Sequence, residues 1–328
     1  MPPSVSIIIP NFNKGPYIAE CLQSCIDQGP DYLLEVIFVD DHSTDNSLTV
    51  VDAFRRRHPD VIKVFTNPRK GAAAARNFGF AQCVGDYIQY LDSDDVLSEN
   101  KVQAQLAALM ENASNGIANC PWEHFRETPG DMPSERQITD KSYEQPVSWL
   151  IDCMMGQGMG VVHGWLTPRA LIEKAGPWNE ELTVNDDGEF FSRVLLKADC
   201  IHFVPTGVAF YRLPTQNNLS QLQVGSEAAA ASLLRSYQLI GGHVLESRAS
   251  VECRLGYARL LKSFIYRHYE THTSLVQEAF MALDHLSVQK NGYDSRGYFS
   301  ILSRILGFKK ALWVKAKFVR PILQLIAC

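Results

Sequence analysis

Three apolar runs in the first hundred residues each end in a turn of carboxylate or amide side chains, and this repeated ending narrows the folds open to the chain. Ser4–Ile9 runs into Pro10-Asn11-Phe12-Asn13-Lys14, Val36–Val39 into Asp40-Asp41-His42-Ser43, and Tyr87–Leu91 into Asp92-Ser93-Asp94-Asp95. Helical patterns fill the gaps. The reading gives strand 4–9, helix 16–27, strand 34–39, helix 45–57, strand 61–65, helix 72–83, strand 86–91 and helix 99–112. Alternation of this kind predicts an α/β fold, a mostly parallel sheet with helices on both faces. Open sheets of this type bind ligands beyond the carboxyl ends of their strands.

Asp92 and Asp94 stand two apart on an extended chain and therefore point the same way. Such a pair suits Mg²⁺ or Mn²⁺, which takes one or two protein carboxylates and completes its shell with phosphate oxygens. The implied ligand is a nucleoside diphosphate. A competing reading makes Asp92–Asp95 the caps of a helix starting near Ser98, where Asp, Ser and Asn are favoured. A second acidic cluster, Asn185-Asp186-Asp187-Gly188-Glu189, falls at another predicted helix start. Acids at a helix N-terminus contribute about 0.3–1 kcal/mol each. Capping accounts for one or two of these acids, and less readily for all three.

Taken in order and at their spacings, five segments resemble glycosyltransferase family 2, nucleotide-sugar-dependent enzymes of GT-A fold. They are Ser6-Ile-Ile-Ile-Pro10-Asn-Phe-Asn13, Val39-Asp-Asp41-His-Ser43-Thr-Asp45, Gly71 through Arg76-Asn77-Phe-Gly79, Gly85-Asp86-Tyr-Ile, and Leu91-Asp92-Ser-Asp94-Asp95. The resemblance covers residues 4 to about 212. It implies a Rossmann-like, mostly parallel sheet flanked by helices. It also implies metal-dependent, inverting transfer of a sugar from a nucleoside-diphosphate sugar to an acceptor hydroxyl, in cell-surface polysaccharide or glycolipid assembly.

Carried over residue by residue, the resemblance makes Asp187 the general base. Asp94 becomes the Mn²⁺ or Mg²⁺ ligand, with Asp92 as partner to the metal or to the ribose. The donor side would comprise Pro10, Phe12 near the nucleobase, Asn13, Asp40 orienting its turn, Asp41 accepting from a base N–H, Arg76 against the diphosphate, and Ser93. The acceptor side would comprise His163, Trp165, Asp186 and Glu189. Arg76 reads alternatively as half of a helix-face salt bridge, and Trp165 equally as a core residue. Gly188 departs from the Trp or Tyr usual in the family and leaves room beside the base. No histidine occurs at 213–220, where many relatives place a further metal ligand, and Phe210-Tyr211-Arg212 resembles the family's closing Tyr-Arg. The Gln-x-x-Arg-Trp signature of processive synthases is absent, which points to one sugar per encounter. Two other functions compete and are disfavoured. A sugar-nucleotidyltransferase needs a glycine-rich basic loop after the first strand, which Pro10-Asn-Phe-Asn-Lys14-Gly15 does not supply, and a non-catalytic nucleotide-sugar or glycan-binding module would tolerate loss of Asp94 or Asp187, yet both are present.

With 46% apolar residues in 328, the chain can bury one sizeable core plus an appendage. The expected division is a GT-A catalytic domain over 1–220, its donor half 1–115 and acceptor half 116–220, followed by a helical C-terminal extension over 221–328. Met1-Pro-Pro leads straight into the first strand with no signal-peptide pattern, so the active domain is expected in the cytoplasm. Eight scattered cysteines without a Cys-x-x-Cys pair agree, and Cys21 and Cys25, four apart on a helix, are expected to be buried. Residues 295–328 carry seven Lys/Arg and no Asp or Glu, within a chain of net charge −5. Its apolar residues, from Ile301 and Ile305 to Trp313 and Phe318, are broken by these cations and form no bilayer-spanning run. Such a tail is expected to lie on an anionic inner membrane surface where a lipid-linked acceptor would be presented, or else to pack on the protein's acidic body. No nucleic-acid partner is expected.

Overall fold

The computed structural model of the chain describes residues 3–112, 115–213, 225–288, 292–293 and 298–319. The segment 213–220 that lacks a histidine, apart from Leu213, and the cationic positions Arg296 and Arg320 lie outside these. Contacts divide the chain into two units, Met1–Leu222 and Gln223–Cys328.

In the first unit the elements run β1 (Val5–Asn11), α1 (Gly15–Ile26), β2 (Leu33–Asp40), α2 (Ser47–Arg57), β3 (Ile62–Thr66), α3 (Ala72–Gln82) and β4 (Tyr87–Tyr90). Then come β5 (Val96–Leu97), α4 (Lys101–Glu111), β6 (Ile117–Asn119), β7 (Trp122–Phe125), α5 (Pro146–Met154), β8 (Thr167–Pro168), α6 (Arg169–Ala175), α7 (Asp186–Leu195), β9 (Ile201–Phe203) and β10 (Ala209–Arg212). The main sheet has the order β3-β2-β1-β4-β8, with the first four strands parallel and β8 antiparallel to β4. Every residue of β1 is buried, as a parallel sheet covered on both faces requires. Gly79 of α3 lets that helix approach the sheet, because a Cβ there would stand 2.6 Å from Ile8 Cγ2. Cys21 and Cys25 are buried in the cluster beneath α1.

A second sheet, β5-β10-β7, adds to the elements expected from sequence, where only its segment Phe210-Tyr211-Arg212 is singled out. β10 pairs parallel with β7, matching Ala209 with Trp122 and Tyr211 with His124, and antiparallel with β5. The strand β5 also removes the capping reading of Asp92–Asp95. These acids form the turn into β5, and α4 begins only at Lys101 behind Asn100.

The second unit is helical: α8 (Glu227–Ser247), α9 (Val251–His268), α10 (Thr273–His285), α11 (Tyr298–Leu306) and α12 (Phe308–Val314). Ser226 and Ser250 cap α8 and α9 by accepting from Ala229 and Cys253 backbone N–H groups at 3.1 and 3.3 Å. Its core joins Leu234, Leu261, Phe264 and Leu283 to Phe299, Phe308 and Leu312. The tail helices α11 and α12 are thus part of this core. Among the described residues no helix is long and apolar enough to cross a membrane.

Candidate active site

The strand ends of the main sheet gather most of the expected donor-side residues. Pro10, Phe12, Asn13, Asp41, Arg76, Asp92, Ser93 and Asp94 line one cavity of about 600 Å³. The β1 turn is locked by its neighbour. Asn13, at a positive φ of 53°, accepts through Oδ1 from the Thr44 N–H at 2.7 Å. Asp40 does not reach the cavity lining. It is buried and accepts from Asn11 Nδ2 and the Ser43 N–H, both at 2.9 Å, holding the two turns together. Asp41 accepts from Asn67 Nδ2 at 2.8 Å and from the Gly71 N–H at 2.9 Å. Phe12 is 48% exposed, unusual for a ring of that size.

A second cavity of about 420 Å³ adjoins the first, and the two share Arg76, Asp92 and Tyr211. Asp186, Asp187 and His163 line it. Arg76 is the link. Its guanidinium donates to Asp92 at 2.7 Å and to Asp186 at 2.9 Å and lies 4.5 Å above the Trp178 ring. Burial alone would lower its pKa, but Asp92 and then Asp186 outweigh burial and raise it. The same pair acts in reverse on Asp92: burial pulls its pKa up, and Arg76 outweighs that and holds the carboxyl below its ordinary value. Arg76 thus faces carboxylates on two sides, neither of them on its own helix, and it lines both cavities.

Asp187 stands at the first turn of α7, where its Oδ1 accepts from the Gly188 N–H at 2.8 Å. Burial, then the neighbouring Asp186 carboxylate, push its pKa up to about 6. Asn185, in the left-handed region at φ 58°, turns the chain into the helix. Glu189, expected beside the acceptor, is instead buried against Arg193, which donates to both its oxygens at 2.7 and 2.9 Å. It lines neither cavity. Trp165 is also absent from the cleft. Its ring is 2% exposed and packs edge-on to Trp149 at 5.0 Å and against Phe191 at 5.6 Å, so its place is in the core.

The Asp92–Asp95 turn is clamped from both sides. Lys14 Nζ lies 2.5 Å from Asp94 Oδ2. Arg212 donates through its backbone N–H to Asp95 Oδ1 and through Nε to the Asp94 carbonyl, both at 2.8 Å, and its Nη2 pairs with Glu20. Asp95 is buried, and burial followed by Asp94 and Asp92 raises its pKa well above the carboxylate range. His163 Nδ1 lies 3.2 Å from Asp95 Oδ2, and burial lowers the imidazole to about 3.

Sequence reasoning gave no site role to Lys14, Trp122, His124, Tyr211 or Arg212. The alternation Trp122-x-His124 was the available signal, since residues two apart on a strand share a face. Nothing local in sequence pairs that face with Tyr211.

The family model for glycosyl transferase family 2 matches residues 6–163. Glycosyltransferase GlyG of Streptococcus pneumoniae serotype 4 is 35% identical over 215 residues, covering 63% of this chain and 70% of GlyG. The chain belongs to glycosyltransferase family 2. The putative teichuronic acid biosynthesis glycosyltransferase TuaG of Bacillus subtilis is 34% identical over 111 residues, 34% of this chain and 44% of TuaG. The matched part of the chain thus spans less than half of that relative. Among solved structures, S. aureus TarS 1–349 in complex with UDP-GlcNAc superposes with a TM-score of 0.65 at 17% identity, covering 97% of this chain and 92% of TarS 1–349. Mannosyltransferase PcManGT from Pyrobaculum calidifontis, in complex with GDP-Man and Mn²⁺, does so with a TM-score of 0.54 at 17% identity, covering 96% and 87%. These likenesses establish the GT-A fold.

Proposed function

We propose that this chain transfers one sugar from a nucleoside-diphosphate sugar to an acceptor hydroxyl during cell-surface polysaccharide or glycolipid assembly, with inversion at the anomeric carbon. The observation that carries the reading is the junction of the two cavities. The strand-end turns Pro10–Lys14 and Asp92–Asp94 line one cavity, Asp187 lines the other, and Asp92, Arg76 and Tyr211 stand on the boundary where transfer would occur. Support also comes from the relatives: TarS and PcManGT bind nucleotide sugars, and TuaG is assigned to teichuronic acid synthesis.

A divalent cation fits the residues present. Among the described residues no set of three or more His, Cys, Asp or Glu converges on one point, but Mg²⁺ and Mn²⁺ need only one or two carboxylates beside substrate phosphates. Asp94 already faces a cation, the Lys14 ammonium. Asp94, with Asp92, would hold the metal, which supplies charge stabilisation for the leaving diphosphate. The chain's own residues do the rest. Asp187 accepts the acceptor hydroxyl's proton as that oxygen attacks, and its raised pKa makes it a better base than an ordinary carboxylate. Arg76 fixes Asp92 against Asp186, so the two walls keep their separation. A base on the acceptor side favours attack opposite the leaving group, hence inversion. Phe12 and Asp41 would take the nucleobase, and Asp41 favours a base bearing an imino proton. The division into a catalytic domain ending near 220 and a helical extension belongs to the same proposal.

Calorimetric titration with a panel of nucleoside diphosphates, with and without Mn²⁺, tests the reading. Metal-dependent binding of one nucleotide, lost in Asp94→Ala, is expected. A folded protein that binds none of them would overturn the transferase reading in favour of a glycan-binding module.

A cytoplasmic, membrane-peripheral place is part of the proposal. Ile301, Ile305, Trp313 and Phe318 are 64%, 74%, 50% and 49% exposed, beside exposed Lys309, Lys310 and Lys317, a surface suited to an anionic leaflet. Because α11 and α12 share the helical core, the test is the Ile301→Ser/Ile305→Ser/Trp313→Ser variant. It should lose sedimentation with anionic vesicles while wild type keeps it.

A further inference from the structure

The face of the β5-β10-β7 sheet turned to the second cavity carries aromatic rings that no established role absorbs. The parallel register of β7 and β10 sets Trp122 and His124 beside Ala209 and Tyr211 on that face. Trp122 and His124 rings lie 4.9 Å apart, tilted by 38°, and His124 and Tyr211 lie 5.6 Å apart, tilted by 36°. Trp122 Nε1 donates to the Met159 carbonyl at 3.1 Å, which fixes the indole plane. Ala209, small and fully buried between the strands, adds no bulk between the rings. All three rings line the cavity that holds Asp187.

We propose that Trp122, His124 and Tyr211 form a stacking ledge for the acceptor, and that the acceptor group seated on it is a neutral sugar ring. The inference rests on the transferase reading and adds the chemical class of the acceptor. Aromatic faces carry negative partial charge and match the C–H faces of a pyranose, while the polar rim of the same ring needs acceptors and donors around it. Asp186, Asp187 and His163 supply that rim. The sign of the lining disfavours an anionic sugar. Asp92, Asp186 and Asp187 face this cavity with Arg76 as the one Lys or Arg lining it among the described residues, and Arg76 is already held by two of those carboxylates. A uronic acid or a phosphosugar on the ledge would place an anion among them at a large electrostatic cost. The nucleoside of the donor is assigned to the other cavity, which Pro10, Phe12 and Asp41 line. Tyr211, shared by both, marks the edge at which donor and acceptor rings would meet.

Saturation-transfer NMR on the full chain, with methyl β-glycosides of neutral hexoses and N-acetylhexosamines and a methyl glucuronide as the charged probe, tests the ledge. Nucleoside diphosphate binding is measured on the same samples. A neutral glycoside should bind with its ring protons saturated and the glucuronide should not. Trp122→Ala should weaken that binding about tenfold, equivalent to about 1.4 kcal/mol. Trp122→Phe should restore most of it, and both variants should bind nucleoside diphosphate like wild type. Undiminished glycoside binding by Trp122→Ala, equal binding of the glucuronide, or no glycoside signal from a wild type that binds nucleotide would each overturn the ledge and leave the transferase reading standing. Absence of nucleotide binding in wild type would overturn the transferase reading, and the ledge with it.

Discussion

Along one wall of the cleft, Pro10–Lys14, Asp41 and Asp92–Asp94 all sit within a few residues of the carboxyl end of a parallel strand. Along the other, Trp122 and His124 meet Tyr211 only because β7 pairs with β10 far along the chain. The first, the proposed donor wall, is held by backbone and short polar links between adjacent turns, such as Asn13 to Thr44 and Asp41 to Gly71. The second, the proposed acceptor wall, is held by ring packing and by one two-sided sheet. On the reverse face of β10, Arg212 lies 4.2 Å over Phe125 and reaches the Asp94–Asp95 turn. The difference teaches that the proposed donor site comes with the sheet, whereas the proposed acceptor site depends on long-range pairing that also braces the Asp92–Asp95 turn.

The sharpest way to separate the walls is Asp187→Asn. Removing the base should lower turnover by about 10²–10⁴-fold, while nucleoside diphosphate binding, measured calorimetrically, stays at the wild-type value. If nucleotide binding falls with it, the two walls are not independent. Arg212→Ala attacks a brace that joins them from outside both cavities. Loss of hydrogen bonds from a buried charged group should lower unfolding free energy by about 2–3 kcal/mol. It should also loosen metal-dependent nucleotide binding, although Arg212 lines neither cavity; retention of both by denaturant titration and calorimetry would remove its bracing role.

The pH profile gives the next largest effect. In the proposed mechanism Asp187 works as the carboxylate, and burial, then Asp186, pushes its pKa up to about 6. Turnover at saturating donor should therefore fall about tenfold per pH unit below pH 6, roughly two units above an ordinary aspartate. Nucleotide binding should stay level over that range, and a profile flat to pH 5 would place the base elsewhere. The smallest effect belongs to Trp165→Phe. A core substitution of this kind should cost about 1 kcal/mol of stability and leave the glycoside affinity unchanged, in contrast to Trp122→Ala. A selective loss of acceptor binding in Trp165→Phe would return the stacking role to Trp165.

Much of the donor wall was legible in sequence because hydrophobic runs of period two and the turns that end them are local properties of the chain. The eight elements expected up to residue 112 are all present, shifted by at most two residues at their ends, where strand and helix ends are least determined by side-chain pattern; the two-residue β5 is a ninth that no pattern marked. Asp92, Asp94, Asp186 and Asp187 were singled out by charge at strand and helix ends, and the fold brings all four to the joined cavities. Glu189 shared that signal and was misplaced. On a helix, residue 189 lies on a different face from 187, and there Arg193 was waiting one turn further on.

By itself, the sequence determined the alternating α/β sheet, the acidic strand ends and the family, since each follows from local periodicity and contiguous motifs. Tertiary structure alone decided that Trp165 is core while Trp122 and Tyr211 face the cleft, that Arg76 bridges Asp92 and Asp186, and that Asp187 is driven toward neutrality. These depend on burial and on charges brought close from distant segments. Neither the desolvation of a carboxylate nor the register of two non-consecutive strands is encoded in any short stretch of residues.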